Sequence, residues 1–238
     1  MKKLFTVVYF ILFLSGELIA QQFEIGTDFG RAYFIYSFKD YGKGFINEGK
    51  INYGMTGGFT LRKNLTEKKF WETGLRFSLY EQYYSTRKYG GAWEQVYPVF
   101  YIPALVGYQS NKKFGFTASG GIILSVMPDQ YESDYEAIFI YPYLDSITRG
   151  TMKRNFTPIF PLLNINAGVK YKINSNWQAE LKAGYGKGFF KITEYNIYYN
   201  DGSGSNDQRA KQWGKGDFAS LTLGVKYRLK QKSRKLNK

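Results

Sequence analysis

The sequence predicts an all-β chain: one eight-stranded antiparallel up-and-down transmembrane β-barrel with short periplasmic turns and long extracellular loops. Three observations carry that prediction. Long segments alternate apolar and polar residues with a period of two. The connections between them alternate short and long. The N-terminus has the three parts of an export signal.

In that signal, Lys2 and Lys3 form a basic start, Leu4 to Leu14 an almost continuous apolar run, and Leu18-Ile19-Ala20 ends in a small residue. Residues 1–20 read as a signal peptide, with Gln21 as the first mature residue. The apolar run is shorter than the roughly 20 residues a spanning helix needs, which favours cleavage over a retained anchor. No Cys follows the cleavage site, so lipoprotein processing is excluded. Residues 21–230 then form the barrel domain and 231–238 a basic C-terminal tail.

The chain contains no Cys and no His. Disulfides, thiolate metal sites and the commonest general base are thereby excluded. The 22 Tyr, 20 Phe and 26 Gly suit long strands with close packing inside. No second long apolar run follows residue 20, so a membrane protein of this sequence crosses only as a closed barrel. The net charge of +14 raises nucleic acid as a partner. The export signal argues against it. So does the scatter of basic residues over turns, presumed interior and tail, and no nucleic-acid partner is expected.

The first strand runs from about Phe23 to Phe38 and puts Glu24, Gly26, Asp28 and Gly30 on its polar face. In the second, Ile51, Tyr53, Met55, Phe59 and Leu61 alternate with Asn52, Gly54, Thr56, Gly58, Thr60 and Arg62. In the third, Trp71, Leu75, Phe77 and Leu79 alternate with Glu72, Gly74, Arg76, Ser78 and Tyr80. The fourth, from about Tyr97 to Gln109, is apolar on both faces and carries Pro98 and Pro103, which remove ladder donors. The fifth sets Phe114, Phe116, Ala118, Ile122, Leu124 and Val126 on its apolar face. The sixth sets Leu163, Ile165, Ala167, Val169, Tyr171 and Ile173 against Asn164, Asn166, Gly168, Lys170 and Lys172. The seventh sets Trp177, Ala179, Leu181, Ala183, Tyr185 and Phe189 against Gln178, Glu180, Lys182, Gly184, Gly186 and Gly188. The last sets Ala219, Leu221, Leu223, Val225, Tyr227 and Leu229 against Ser220, Thr222, Gly224, Lys226 and Arg228.

The short connections are Lys63–Lys69, Ser110–Lys113 and Asn174–Asn176; the long ones are Lys39–Lys50, Tyr84–Val96, Pro128–Pro158 and Thr193–Lys215. An even strand count places both chain ends on the short-turn rim. A soluble up-and-down barrel would show the polar face to water and would not need so many glycines there. A narrow barrel with a packed polar lumen does need them, because eight strands enclose little more than side chains. Trp71, Trp177 and Phe114 open strands at the short-turn rim, and Tyr108, Tyr171 and Tyr227 end strands there, as in an interfacial aromatic girdle.

The polar faces carry charges of both signs: Glu24, Asp28, Arg62, Glu72, Arg76, Glu180, Lys182, Lys226 and Arg228. The first and last strands must pair to close the barrel, which brings Glu24 near Lys226 or Arg228. Buried charges persist only when paired, so the expected arrangement is a salt-bridge network plugging the lumen, with negligible conductance. A gated or narrow ion path is the functional alternative. The loop 128–158 carries Asp129, Glu132, Asp134 and Glu136 among Tyr131, Tyr135 and Tyr141, and the loop 193–215 carries Tyr195, Tyr198 and Tyr199. They read either as solvated loops with hairpin extensions or as a tyrosine-rich binding surface. The acidic spacing fits no calcium loop, and neither metal nor cofactor is expected.

The last strand, Thr222-Leu223-Gly224-Val225-Lys226-Tyr227-Arg228-Leu229, resembles the C-terminal targeting signal of outer-membrane barrels, through Thr222, Gly224, Tyr227 and Leu229. Asn166 to Ile173 is a near copy in an internal strand. The signal usually ends the chain at an aromatic residue, whereas here Lys230, Lys232, Arg234, Lys235 and Lys238 follow. With the export signal and the eight strands, residues 21 to about 230 resemble the porin-family, PorT-like outer-membrane β-barrel proteins of Gram-negative bacteria. The resemblance implies an outer-membrane location in contact with outer-membrane lipid. It also implies recognition by the barrel-assembly machinery through edge-strand pairing and leaves other envelope proteins open as partners. It brings no catalytic motif. Two function classes follow: a non-enzymatic structural, surface-binding or export-complex protein, or a lipid-modifying enzyme, with a narrow porin-like channel as a further alternative. The lack of His excludes His-dependent triads, and no Gly-x-Ser-x-Gly elbow is present.

Overall fold

The computed structural model describes residues 23–41, 46–48, 53–86, 92–127, 159–199 and 208–229. The expected signal peptide, the basic tail and Tyr131, Tyr135 and Tyr141 lie outside the described residues.

Ten strands follow one another: β1 (Phe23–Asp40), β2 (Ile46–Glu48), β3 (Tyr53–Asn64), β4 (Lys69–Thr86), β5 (Ala92–Gln109), β6 (Phe114–Val126), β7 (Ile159–Lys172), β8 (Trp177–Gly188), β9 (Thr193–Tyr199) and β10 (Gln208–Arg228). Eight of them close a barrel in the order β1-β3-β4-β5-β6-β7-β8-β10, and β10 pairs back onto β1. All these pairings are antiparallel, the closing seam included, and apart from that seam each barrel strand pairs with the next barrel strand along the chain. The short strands β2 and β9 lie off this ring, paired with the ends of β4 and β10.

The period-two pattern sets which face is which. On β1, Ile25, Phe29 and Tyr33 stand outward while Glu24, Asp28 and Ala32 are buried inside. The outer surface is hydrocarbon: Phe59 is 70% exposed, Val106 63% and Leu223 61%. A continuous belt of this kind is stable only against lipid, and the closed ladder leaves no unpaired edge within it.

A spanning strand needs about 9–11 residues. At 18 residues, β4 and β5 exceed that, as does β10 at 21. The short turns bound one rim, so the excess length rises beyond the lipid on the opposite, long-loop side. The expected boundaries change accordingly. The fourth barrel strand begins at Ala92 rather than near Tyr97, because its ladder with β4 continues to Ser85↔Ala92. The stretch Thr193–Lys215, expected as a loop, is largely a hairpin: β9 pairs with β10 from Gly214↔Thr193 to Gln208↔Tyr199. The long β10 also breaks register, from Phe34↔Phe218 to Tyr36↔Gly214. Gly216 at φ +79° lets the backbone turn at that break.

Candidate functional site

The interior is the site, and it has two tiers. The lower tier, toward the short-turn rim, is built from the inward positions of β1, β3, β4, β8 and β10. Arg62 is 1% exposed and donates through Nε to Glu72 Oε2 at 2.9 Å and through Nη2 to the same oxygen at 2.7 Å. Its Nη2 also reaches Glu180 Oε2 at 3.2 Å. Lys226 bridges the same two carboxylates, at 2.7 Å from Glu72 and 2.6 Å from Glu180. Lys182 joins Glu72 at 3.3 Å to Asp28 at 3.5 Å, and Arg76 pairs with Asp28 at 3.0 Å. At the rim, Glu24 Oε1 accepts from Arg228 at 3.0 Å and from Asn64 at 2.9 Å, while its Oε2 accepts from Gln178 at 2.8 Å.

All nine charged residues predicted for the lumen therefore stand on its wall, joined as two connected sets: Glu24 with Arg228, and the remaining seven. Each of these nine charges has an opposite charge in reach, the condition under which ions persist away from water. Thr117 adds a hydroxyl donor to Glu180 Oε1 at 2.7 Å. Phe70, 1% exposed, lies under the Arg62 guanidinium at 3.9 Å from the ring centre. Phe70 sits on the otherwise polar face of β4, beside the turn, so alternation alone gave no sign of this contact.

Glycine makes room for the network. A Cβ at Gly26 would lie 2.6 Å from Lys226 Cγ, and one at Gly224 would lie 3.0 Å from Asp28 Cβ. The lysine and aspartate stems occupy the space that neighbouring side chains would fill.

One buried charge breaks the pattern. Lys170, 2% exposed on β7, donates to Gln109 Oε1 at 2.8 Å and has no ion-pair partner among the described residues. Alternation along β7 puts Lys170 on the inward face with Asn164 and Asn166, but no oppositely charged position falls beside it in sequence.

The upper tier is different. The packed polar lumen expected from the sequence gives way here to apolar side chains. Ala32, Phe34, Val99, Tyr101, Ile123, Met127, Phe160, Leu162, Ile192 and Phe218 form one buried apolar cluster inside the barrel. Leu162 is 0% exposed and Phe160 3%. The Tyr101 and Phe218 rings meet at 5.6 Å between centres. The physical reason is that β5 from Tyr97 to Val106 and the start of β7 from Ile159 to Leu163 are apolar on both faces. One face meets lipid, and the other packs across the lumen.

At the short-turn rim, the aromatic residues form a girdle. Trp177 and Tyr227 meet at 4.8 Å, Tyr108 stacks on Phe116 at 5.8 Å, and Phe114 is 66% exposed. Of the predicted assembly-signal residues, Thr222 and Gly224 face the lumen, and Tyr227 and Leu229 lie on the outer face. Thr222 and Gly224 pair with Gly30 and Asp28 at the closing seam. Tyr195, Tyr198 and Tyr199 fall on β9, in the hairpin above the membrane.

No protein-family model matches the sequence, and no curated protein matches it. Solved structures do. The chain is similar to the outer membrane protein OprG from Pseudomonas aeruginosa, with 14% identity and a TM-score of 0.51, covering 89% of this chain and 97% of that one. It is also similar to Neisserial surface protein A, at 11% identity and a TM-score of 0.48, covering 87% and 97%. The N-terminal β-barrel domain of OprF from Pseudomonas aeruginosa is similar at 13% identity and a TM-score of 0.44, covering 88% and 100%. At such identity the likeness to OprG concerns the fold. Together with the lipid-facing exterior and the closed ring of strands, it makes this protein an eight-stranded β-barrel of the outer membrane.

Proposed function

We propose that the protein is a non-enzymatic, non-conducting outer-membrane barrel. Its role is structural, surface-binding or within an export complex, exercised through its long tyrosine-rich loops. The single observation that supports this reading is the double filling of the lumen, ionic below and apolar above. A solute crossing the barrel would have to break both the Arg62–Glu72–Lys226 lattice and the Phe160–Leu162–Phe218 packing.

With the lumen filled, the long-loop side is where partners are met. The β9–β10 hairpin raises Tyr195, Tyr198 and Tyr199 beyond the lipid, and tyrosine offers contact area at low entropy cost. The finer assignment, to the porin-family, PorT-like proteins, rests on the resemblance of residues 21 to about 230 together with the export signal and the eight strands, and belongs to the same proposal. So does recognition of Thr222, Gly224, Tyr227 and Leu229 by the barrel-assembly machinery.

The test is capture of the intact protein from detergent-solubilised outer membranes, beside a variant with Tyr195, Tyr198 and Tyr199 changed to Ser. A stoichiometric envelope partner that the variant loses is expected, with identical lipid species in cells with and without the protein. A lipid A or phospholipid species that changes with the protein would overturn the non-enzymatic reading.

A further inference from the structure

The described short turns carry a strong excess of positive charge. Lys68, Lys69, Lys112 and Lys113 are exposed there, and Glu67 is the one exposed carboxylate on the same described turns, accepting from Asn111 at 3.0 Å. At the same rim lies a cavity of about 190 Å³ between the β7–β8 turn and the end of β10. Lys172 and Arg228 line it from the barrel side, Ser175 and Asn176 from the turn, and Trp177 from the membrane side.

The chemistry of the cavity is that of an anion site with an apolar flank. Lys172 Nζ donates only to neutral acceptors, the Asn111 carbonyl at 2.7 Å and Oδ1 at 2.8 Å, so its charge is not offset by a carboxylate there. Arg228 leans on Glu24 yet keeps its side chain 30% exposed. Trp177 is 44% exposed and packs on Tyr227, so this wall is continuous with the aromatic girdle at headgroup depth. Glu24 also lines the cavity. One carboxylate against two cations favours a monoanion over a dianion.

We propose that this cavity binds the phosphodiester headgroup of an anionic phospholipid in the inner leaflet. A phosphodiester carries a single negative charge, which matches the balance of Lys172, Arg228 and Glu24. The acyl chains would continue along Trp177 onto the outer face, a path a free phosphate does not use. In sequence, Lys230, Lys232, Arg234, Lys235 and Lys238 follow Leu229.

The experiment places the full protein in phosphatidylcholine vesicles carrying spin-labelled phosphatidylglycerol or spin-labelled phosphatidylcholine, and reads the protein-bound fraction of each. The expected preference for phosphatidylglycerol is about fivefold, the effect of one lysine at an anionic surface. It should weaken at high salt. Lys172→Gln should bring the preference close to parity, whereas Lys39→Gln, on the opposite side of the membrane, should leave it intact. Asn176→Asp, which keeps the oxygen bonded by Ser175 but adds a negative charge, gives the same readout should Lys172→Gln fail to fold. Equal binding of the two lipids by the unaltered protein would overturn the proposal. So would a preference that survives both cavity variants. Displacement of the bound lipid by free glycerol phosphate would assign the site to soluble phosphates and overturn the lipid assignment.

Discussion

At the lower end of the lumen, Glu72 accepts from Arg62, Lys182 and Lys226. Farther up the same interior, Phe160, Leu162 and Phe218 pack on one another with no polar bond between their side chains. The two regions fill the same narrow tube by opposite means. Each ion in the lower tier depends on named partners at fixed positions, and removing one leaves others buried and unbalanced. In the upper tier, shape and volume suffice, so a substitution of equal bulk is tolerated. The lower tier therefore specifies the strand register around the barrel, and the upper tier mainly fills space.

The largest effect should come from the lower tier. Glu72→Ala leaves Arg62, Lys182 and Lys226 short of a carboxylate, and its expected cost is about 3–5 kcal/mol, measured by urea unfolding in lipid vesicles. Glu72→Gln should also be strongly destabilising although its shape is conserved. A nearly neutral Glu72→Gln would break the contrast between the tiers.

Leu162→Ala in the upper tier should cost about 3 kcal/mol through the cavity it opens. Leu162→Met should cost less than about 1.5 kcal/mol in the same assay. If the methionine variant were as damaging as Glu72→Gln, packing in the upper tier would be as specific as the ion pairs below.

Lys170 sharpens the comparison because it is charged but lacks an ion pair among the described residues. Lys170→Met should leave stability unchanged or raise it by about 1 kcal/mol. A loss of several kcal/mol would mean that this lysine holds the lattice together through Gln109.

The smallest effect lies outside the membrane, on the β9–β10 hairpin. Lys211 donates to Glu194 at 2.6 Å and holds its carboxyl below the usual carboxylate range. A carboxyl depressed in the folded state stabilises above its unfolded pKa, and that contribution fades as pH falls through the folded value. The protection factors of the hairpin amides, exchange rates taken relative to the intrinsic rate at each pH, should therefore fall on acidification below the ordinary carboxylate range. The change is worth less than about 1 kcal/mol, because the pair is partly exposed. Protection factors that rise on acidification would contradict the assignment.

Much of this arrangement can be read from the chain. Barrel closure forces β1 against β10, so Glu24 and Arg228 meet as a consequence of strand count and alternation. Arg62 and Glu72 flank a single short turn, and their cross-strand pairing follows from it. The upper tier is harder to read for a physical reason. Phe160, Pro161, Leu162 and Leu163 are all apolar, so the period-two signal vanishes where one face meets lipid and the other meets the plug. The hairpin from Thr193 was hidden by the break between Gly188 and Thr193, where β8 stops pairing with β10 and β9 resumes at a new register. Long-range contacts such as Thr117 to Glu180 depend on the width of the barrel, which no local pattern records.

Single-channel recording in planar bilayers tests the central claim most directly. The purified barrel should show negligible conductance across a range of voltage and salt. Stable, large, open channels from the unaltered protein would contradict a lumen closed by two tiers.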